Sequence, residues 1–458
     1  MMRYPIIAGT LLCLGLLGGC ANLAPDYQRP ERPVPASFDA QSAIAPLSEK
    51  LDWQHVIRDE RLAGTIQLAL DNNRDLRIAV LNITKARAEY QIENAALYPA
   101  INGSLSGSSS SSAGTVTRKY TAGLGISAFE LDLFGRLGNL RDVALESYLS
   151  SEATQRSVRT SLIAETANAW LTLGANQALL KLAQETMESR SKSLNVIVRQ
   201  QALGGTSRLT VAQAQASLEA ARRDVASYVS QVKQARNALD LLAGTSVPGT
   251  LLPVADTALD EERVTLLDVP AGLSSEVLLQ RPDIIAAEHA LKGANANIGA
   301  ARAAFFPAIT LTTSGGASSA SLSTLFDAGT RMWTFAPSLT LPIFNAGKLS
   351  AALSSAKTER DIQVATYEKT VQTAFSEVAD ALAERSTMSQ RIAAQQAETE
   401  AYATSLRLST ERYRSGADSY LTVLDSQRAL YSAQQSLISL RLSEQSNRIS
   451  LFKTLGGE

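Results

Sequence analysis

The sequence predicts a mainly α-helical chain with a small β-barrel part and an internal two-fold repeat. Three observations carry this expectation. Residues 75–101 and 283–309 align without a gap at an offset of 208, from Pro99 to Pro307, with Asp75 matching Asp283, Ala86 matching Ala294 and Ile101 matching Ile309. Each copy reads as an Ala-rich helix stopped by proline, after which the apolar period changes from helical to alternating. Each copy is then followed by a long proline-free tract of helical character.

Of the 458 residues only 5% are aromatic, which favours long helices over a compact enzyme. Lys plus Arg number 43 against 44 Asp plus Glu, so no field of one sign points to nucleic acid. At the N-terminus, Arg3 precedes an apolar run over residues 6–17, too short to span a bilayer but suited to a secretory signal. The run ends in Leu17-Gly18-Gly19-Cys20, which looks like a bacterial lipobox, with cleavage before a lipid-modified Cys20. Cleavage there discards Cys13 and leaves no partner for an internal disulfide. Ala21 after the cysteine is compatible with export to the outer membrane. Residues 1–19 are thus read as a lipoprotein signal peptide. Residues 20–52, with Pro25, Pro30, Pro33 and Pro35, are read as a lipidated extended tether.

The first structural repeat, 53–243, is expected to open with a short amphipathic piece near Trp53 and a helix running to Tyr98. Pro99 then starts two alternating strands separated by a Ser/Gly run. Near Ala128 the apolar parity shifts to Phe129, Leu131 and Leu133, which predicts a bulge or the strand's exit from an apolar environment. From Gly135 the chain reads as helical, with a break near Gly204-Gly205. After that break Val211, Leu218, Val225, Val232 and Leu239 recur every seven residues, with Ala214, Ala221, Tyr228, Ala235 and Leu242 as the companion seam.

Residues 244–273, with Pro248, Pro253, Pro270 and the acidic Asp260-Glu261-Glu262, read as an irregular connection. The second repeat, 274–458, then follows the same plan. It predicts a helix to Phe306, a strand through Ile309, Leu311 and Thr313, a Gly/Ser-rich turn, and a strand carrying Trp333, Phe335, Leu339, Leu341 and Ile343 on one face. A helical tract broken near Ser415-Gly416 completes it. Val423, Leu430, Leu437 and Leu451 repeat the first heptad at an offset of 212, from Val211 to Val423, with lapses at Glu444 and Asn447. A second apolar column, Leu424, Tyr431 and Ile438, means such a helix touches neighbours on two sides.

Four alternating strands cannot close a barrel, since the smallest membrane barrels have about eight. Unpaired edges in hydrocarbon cost several kcal/mol per backbone group, so strands that enter a bilayer require oligomerisation. Helical arms of roughly 65 to 70 residues reach on the order of 100 Å at about 1.5 Å per residue, which suits the wall of a helical tube continuing a small barrel. Tyr98, Phe129, Phe305, Phe306 and Phe344, at the strand ends, fit either an interfacial belt or local packing.

Several longer runs carry a resemblance: Gln280-Arg281-Pro282-Asp283-Ile284, the stretch from Asn295 through Arg302 to Pro307, Glu130-Leu131-Asp132-Leu133-Phe134-Gly135-Arg136, Leu341-Pro342-Ile343-Phe344-Asn345-Ala346-Gly347, and Arg412-Tyr413-Arg414-Ser415-Gly416 with Tyr420-Leu421-Thr422-Val423-Leu424-Asp425. Together they resemble the outer-membrane factors of bacterial tripartite efflux pumps, TolC-like channels, and most of all the OprM-like lipoprotein branch. The resemblance implies a homotrimer in which each chain gives four strands to one twelve-stranded outer-membrane barrel and its helices to a long periplasmic α-barrel. It implies a passive exit duct for drugs or other small molecules, delivered by an inner-membrane RND-type pump through a periplasmic adaptor protein. Its localisation would be the outer membrane, lipid-anchored and membrane-spanning.

By position, Leu421 and Asp425 resemble the family's constricting ring at the periplasmic tip, with Tyr413, Arg414 and Asp418 as candidate tethers. Three copies of Asp425 around an axis would attract cations; the bland reading is a helix surface on which Asp425 faces Arg428 at i, i+3. Pro99 and Pro307 would be the helix-to-strand junctions. One departure is that Thr210 stands after Leu209, where many lipoprotein members carry an acidic residue.

An enzyme is not expected: His55 and His289 are the only histidines, and no metal-ligand cluster, phosphate loop or nucleophile elbow is visible. The expected cofactor set is empty apart from covalent lipid on Cys20, and the expected partners are further copies of the chain, adaptor, pump and outer-membrane lipids, without nucleic acid. A protein-secretion duct of the same shape and a periplasmic coiled-coil lipoprotein are the alternatives. The second leaves the alternating strands unexplained.

Overall fold

A computed structural model describes residues 21–38, 51–255, 259, 263–265, 267, 269–270 and 272–458. The signal segment, Cys20 and the acidic run 260–262 lie outside the described residues. In chain order the elements are α1 (Trp53–Val56), α2 (Glu60–Asn72), α3 (Arg74–Ala95), β1 (Ile101–Ser112), β2 (Thr115–Leu131), α4 (Arg136–Ala202) and α5 (Arg208–Ala243). After the connection come α6 (Pro282–Ala303), β3 (Ala308–Ser319), β4 (Arg331–Thr340), α7 (Lys348–Arg414) and α8 (Tyr420–Thr454). The helix–strand–strand–helix–helix plan therefore occurs twice. Helices α4 and α7 are 67 residues each, about 100 Å at 1.5 Å per residue. Among the described residues no helix is long and apolar enough to cross a membrane.

The chain divides into two compact units, each drawn from both halves of the sequence. The first contains the described residues up to Glu31, with Leu81–Ala153 and Ile285–Lys369. Its centre is one antiparallel sheet in the order β1-β2-β3-β4, so β1 and β4 are open edges. The β1–β2 hairpin turns on Ala113 (φ 49°) and Gly114 (φ 82°), the paired positive φ of a two-residue hairpin turn. The Ser/Gly runs are longer in strand than expected. Ser108–Ser112 pairs with β2, and Ser314 to Ser319, read in sequence as a turn, pairs with β2, its first four residues also with β4. Serine has no strong strand preference of its own, but the even-numbered serines of β1 lie on the polar face of a two-sided sheet, where Ser106 and Thr121 have their hydroxyls 2.6 Å apart. Conversely β4 stops at Thr340, so Leu341 and Ile343 lie beyond it, on either side of Pro342.

The parity shift near Ala128 is a bulge. Ile126 pairs with Thr313 and Phe129 with Leu311, so three steps on β2 oppose two on β3. The extra residue keeps Phe129 on the same face as Ile126, and Ala128 takes φ 50° while its N–H donates to Thr312 Oγ1 at 3.1 Å.

The proline-rich segment forms no helix over residues 21–38, and its first part is a docked strap. Within the first unit, Ala21 N–H donates to Leu133 O at 3.2 Å and Asn139 Nδ2 to Asn22 Oδ1 at 3.0 Å. Along α6, Arg302 donates to Leu23 O at 3.0 Å, Asn295 to Pro25 O at 2.7 Å, and Glu288 accepts from Arg29 at 2.8 and 3.0 Å. Gly299 completes this track, since a Cβ there would lie 2.7 Å from Ala24 N and 2.6 Å from Asn139 Oδ1. The equivalent positions of α3, 208 residues earlier, are Val80, Arg87, Gln91 and Asn94, none of which offers that groove.

The second unit comprises the described parts of Arg32–Val80, Thr154–Ile284 and Thr370–Glu458. Trp53, Leu62, Ile66, Trp170, Leu171, Leu239 and Phe452 form its main core. Asn73 separates α2 from α3, accepting from Leu76 N–H at 2.9 Å as an N-cap while its amide donates to Leu242 O at 2.9 Å. The heptad lapses become a polar network. Asn447 is buried and donates to Ala381 O at 2.9 Å, while Arg448 bridges Val264 O at 2.8 Å and Glu444 at 2.5 Å. Asn447 and the terminal nitrogens of Arg448 are tolerated there because they are paired.

Candidate functional site

Two places gather the residues singled out in the sequence, one in each unit. In the first unit lie the helix-to-strand junctions. Helix α3 ends at Ala95, and Tyr98 N–H donates to Ala95 O at 3.0 Å before Pro99 and the start of β1. Helix α6 ends at Ala303, and Phe306 N–H donates to Ala303 O at 3.0 Å before Pro307 and β3. Both helices tighten to i→i−3 bonds over their last turn, and proline then removes the donor that would continue them. At the exit of β2, Arg136 clasps Glu130 through two bonds of 2.7 and 2.6 Å, and Asp132 accepts from Gly138 N–H at 2.7 Å, capping α4. Phe134 stacks on Phe306 at 4.6 Å between centroids. A cleft of about 260 Å³ lies here, lined in part by Glu130, Arg136, Phe134, Phe306, Pro307 and Pro342. Phe306 thus packs on one side yet stays 42% exposed, and Tyr98 and Phe344 are exposed at 67% and 89%. His289 also sits in this unit, its Nδ1 2.6 Å from Glu146 Oε2.

In the second unit lies the pair of interhelical turns. Both end the preceding helix with the same motif. Gly204 (φ 78°) N–H donates to Gln201 O and Gly205 N–H to Gln200 O, at 3.0 and 2.7 Å; Gly416 (φ 75°) N–H donates to Tyr413 O and Ala417 N–H to Arg412 O, at 3.0 and 2.9 Å. This glycine-stopped helix end needs a left-handed residue, which is why the sequence breaks there. An apolar cluster beneath the turns joins four helices: Ile197 of α4, Ala214 of α5, and Tyr420, Val423 and Leu424 of α8 are buried, with Leu406 and Tyr413 of α7 against them.

Tyr413 donates to Gln200 Oε1 at 2.7 Å and its ring lies 5.3 Å from that of Tyr420. Asp418 is held by Arg412 through bonds of 2.6 and 3.1 Å, and the Arg412 guanidinium keeps its carboxyl below the usual range. Arg414 is exposed. Leu421 is 45% exposed on the first turn of α8, beside the buried Val423 and Leu424. Asp425 is exposed and meets Arg428 at 3.2 Å, i to i+3. At the other turn Ser207 caps α5, accepting from Thr210 N–H at 3.2 Å; Thr210 thus contributes to the turn itself.

Sequence reasoning misses Gln200 and Arg412, the partners of Tyr413 and Asp418. It also misses a buried cluster farther along the same helices. Arg190 Nη1 donates to Ser217 O at 2.8 Å and its guanidinium lies 5.4 Å from the Tyr431 ring. Burial first, and then the charge of Asp224, push the Tyr431 phenol up to about 12. In the sequence Tyr431 shows only as a member of an apolar column.

The comparisons with known proteins bear on the whole chain. The family model described as "Outer membrane efflux protein" matches twice, over residues 65–245 and 273–457. The chain is similar to the probable efflux pump outer membrane protein TtgC of Pseudomonas putida KT2440, 46% identical over 457 residues that cover 96% of this chain and 93% of that one. It is similar to the cation efflux system protein CusC of Escherichia coli O157:H7, 41% identical over 97% of each chain. The open-state crystal structure of the MtrE outer membrane channel of Neisseria gonorrhoeae superposes with a TM-score of 0.87 at 39% identity, over 95% of this chain and 98% of that one. Two matched halves, four strands and paired long helices are thus the fold of outer-membrane efflux channels, and the chain belongs to the outer membrane efflux protein family.

Proposed function

We propose that three copies of this chain close one barrel and one helical tube, forming the outer-membrane exit duct of a tripartite efflux system. The observation that carries the reading is the open four-stranded sheet, with unpaired edges on β1 and β4, entered from α3 and α6 at Pro99 and Pro307 and left through helices of 67 residues. A sheet with an apolar face and open edges is stable in a bilayer only when neighbouring copies pair those edges. Exposed Ile78, Leu81 and Ile92 on α3 give the same copies an apolar surface to cover.

In this reading small molecules reach the duct from an inner-membrane RND-type pump through a periplasmic adaptor, and the chain performs no chemistry on them. Lipid on Cys20 adds an anchor one residue before Ala21, whose N–H donates to Leu133 O just past β2. Acyl chains contribute about 0.8 kcal/mol per buried CH₂, so more than one is needed for stable attachment. The tip turns are the gate: Leu421 and Asp425 constrict, while Tyr413, with Gln200, and Asp418, with Arg412, hold the turns closed. Arg414, exposed at the same end, is available to a neighbouring copy.

The test is purification from membranes with metabolically labelled acyl chains, followed by planar-bilayer recording. The expected result is a detergent-resistant trimer, labelled on Cys20 and conducting ions. A soluble, unlabelled monomer without conductance overturns the reading.

A further inference from the structure

The register of the sheet sorts its side chains into two faces. One carries Ile101, Leu105, Leu124, Ile126, Phe335 and Leu339; the other is mostly Ser, Thr and Gly. On the apolar face of the four strands only two residues are charged, Arg118 and Arg331. Both are exposed, and both stand in the same local arrangement. Arg118 precedes Tyr120 by two residues on β2, and Arg331 precedes Trp333 by two on β4, which puts each arginine on the same face as its aromatic and one step nearer the hairpin end. Arg118 lies four residues past Gly114 in the first hairpin, and Arg331 is the first residue of β4 after the second. The helices leave from the opposite end of the sheet, at Pro99, Leu131, Pro307 and Thr340.

We infer that Arg118 and Arg331 form a cationic collar that binds phosphate groups of the lipids surrounding the barrel, specifically the phosphorylated glycolipid of the leaflet on the hairpin side. The inference rests on the membrane-inserted reading above. A charge on a lipid-facing strand is unfavourable at the bilayer centre and tolerable near the interface, and aromatic side chains mark that interface. Arginine outboard of the aromatics therefore sits at headgroup level. There its planar guanidinium can take two oxygens of one phosphate, and an anionic headgroup complements its charge. Lys119, between Arg118 and Tyr120, points to the polar face and takes no part.

The experiment uses the full-length protein reconstituted in phosphatidylcholine vesicles containing diphosphoryl lipid A, re-extracted in detergent and assayed for retained lipid A. Wild type should retain about tenfold more diphosphoryl lipid A than fully dephosphorylated lipid A. Arg118→Gln/Arg331→Gln should lose about tenfold of that retention, while Lys119→Gln keeps it. Equal retention of the two lipids by wild type overturns the collar without reference to any variant. So does equal retention by wild type and the double arginine variant, or displacement of the lipid by inorganic phosphate, which would mark a free-anion site. Planar-bilayer conductance of the same preparations separates the two levels. Conducting wild-type channels without lipid preference overturn the collar alone, whereas wild type that never inserts overturns the membrane reading and the collar with it.

Discussion

Tyr413 Oη donates to Gln200 Oε1 at 2.7 Å, tying the last turn of α7 to the last turn of α4. Each of these helices ends in the same glycine-stopped turn, so one hydroxyl joins the two tips of the chain. Tyr413→Phe keeps the ring against Tyr420 and removes only that bond, worth about 1 kcal/mol. The expected outcome is a several-fold rise in open probability in planar bilayers. An unchanged gating pattern would leave the tips held by the apolar cluster alone.

Asp425 faces Arg428 within one chain at 3.2 Å. An exposed pair of this kind contributes a few tenths of a kcal/mol to the helix, so Asp425→Ala should leave the melting temperature unchanged. If three Asp425 carboxylates constrict the tip, the same variant raises single-channel conductance or alters cation permeability, read from reversal potentials in a salt gradient. Unchanged values on both counts remove Asp425 from the gate.

Glu288 anchors the strap through Arg29 and pairs with Lys292 on its own helix, its side chain 10% exposed. Burial pushes its carboxyl up, but the hydrogen bonds from Arg29 and Lys292 more than offset this and leave it below the ordinary value. A carboxylate with a lowered folded pKa stabilises fully above the unfolded value, and that contribution is lost as pH falls through the folded one. Hydrogen exchange in residues 21–31 should therefore be flat from about pH 8 to about pH 5 and accelerate only below the ordinary carboxylate range, after correction for intrinsic rates. Loss of protection between pH 7 and 6 would contradict the role of Glu288.

Gly299→Ala places a Cβ 2.7 Å from Ala24 N, and the strap must move to admit it. Limited proteolysis should cut residues 21–31 faster in that variant. Gln91→Ala, at the matching exposed position of the first copy, is expected to stay within about 0.5 kcal/mol of wild type.

Arg281 is buried, joined to Asp283 at 2.7 Å, Glu377 at 2.8 Å and Thr454 O at 2.9 Å. Arg281→Met keeps the stem and strands all three acceptors. Because both carboxylates are partly solvated, the loss should be about 2 to 3 kcal/mol rather than more. A clear fall in the thermal midpoint measures it.

The parts of this structure readable in the sequence are those that local chemistry decides. Pro99 and Pro307 end helices because they lack an N–H, Gly204 and Gly416 stop them because they accept positive φ, and the bulge at Ala128 shows as a parity shift. The Ser-rich strands extend farther than the sequence suggests because serine looks like a turn residue until a partner strand is present. Partners distant in sequence are invisible. Nothing in Gln200 or Arg412 announces Tyr413 or Asp418, and Glu288, Asn295, Gly299 and Arg302 declare themselves a track only when residues 21–31 lie upon it.

That track also breaks the equality of the two halves. The strap runs over α6, and the matching face of α3 has Val80, Arg87, Gln91 and Asn94 in place of its anchors. In a trimer six junctions would circle the pore, alternately girdled and bare. The ring then only imitates sixfold symmetry, and its true order is three. A partner that surrounded these junctions as six copies of one subunit would meet two different surfaces in turn.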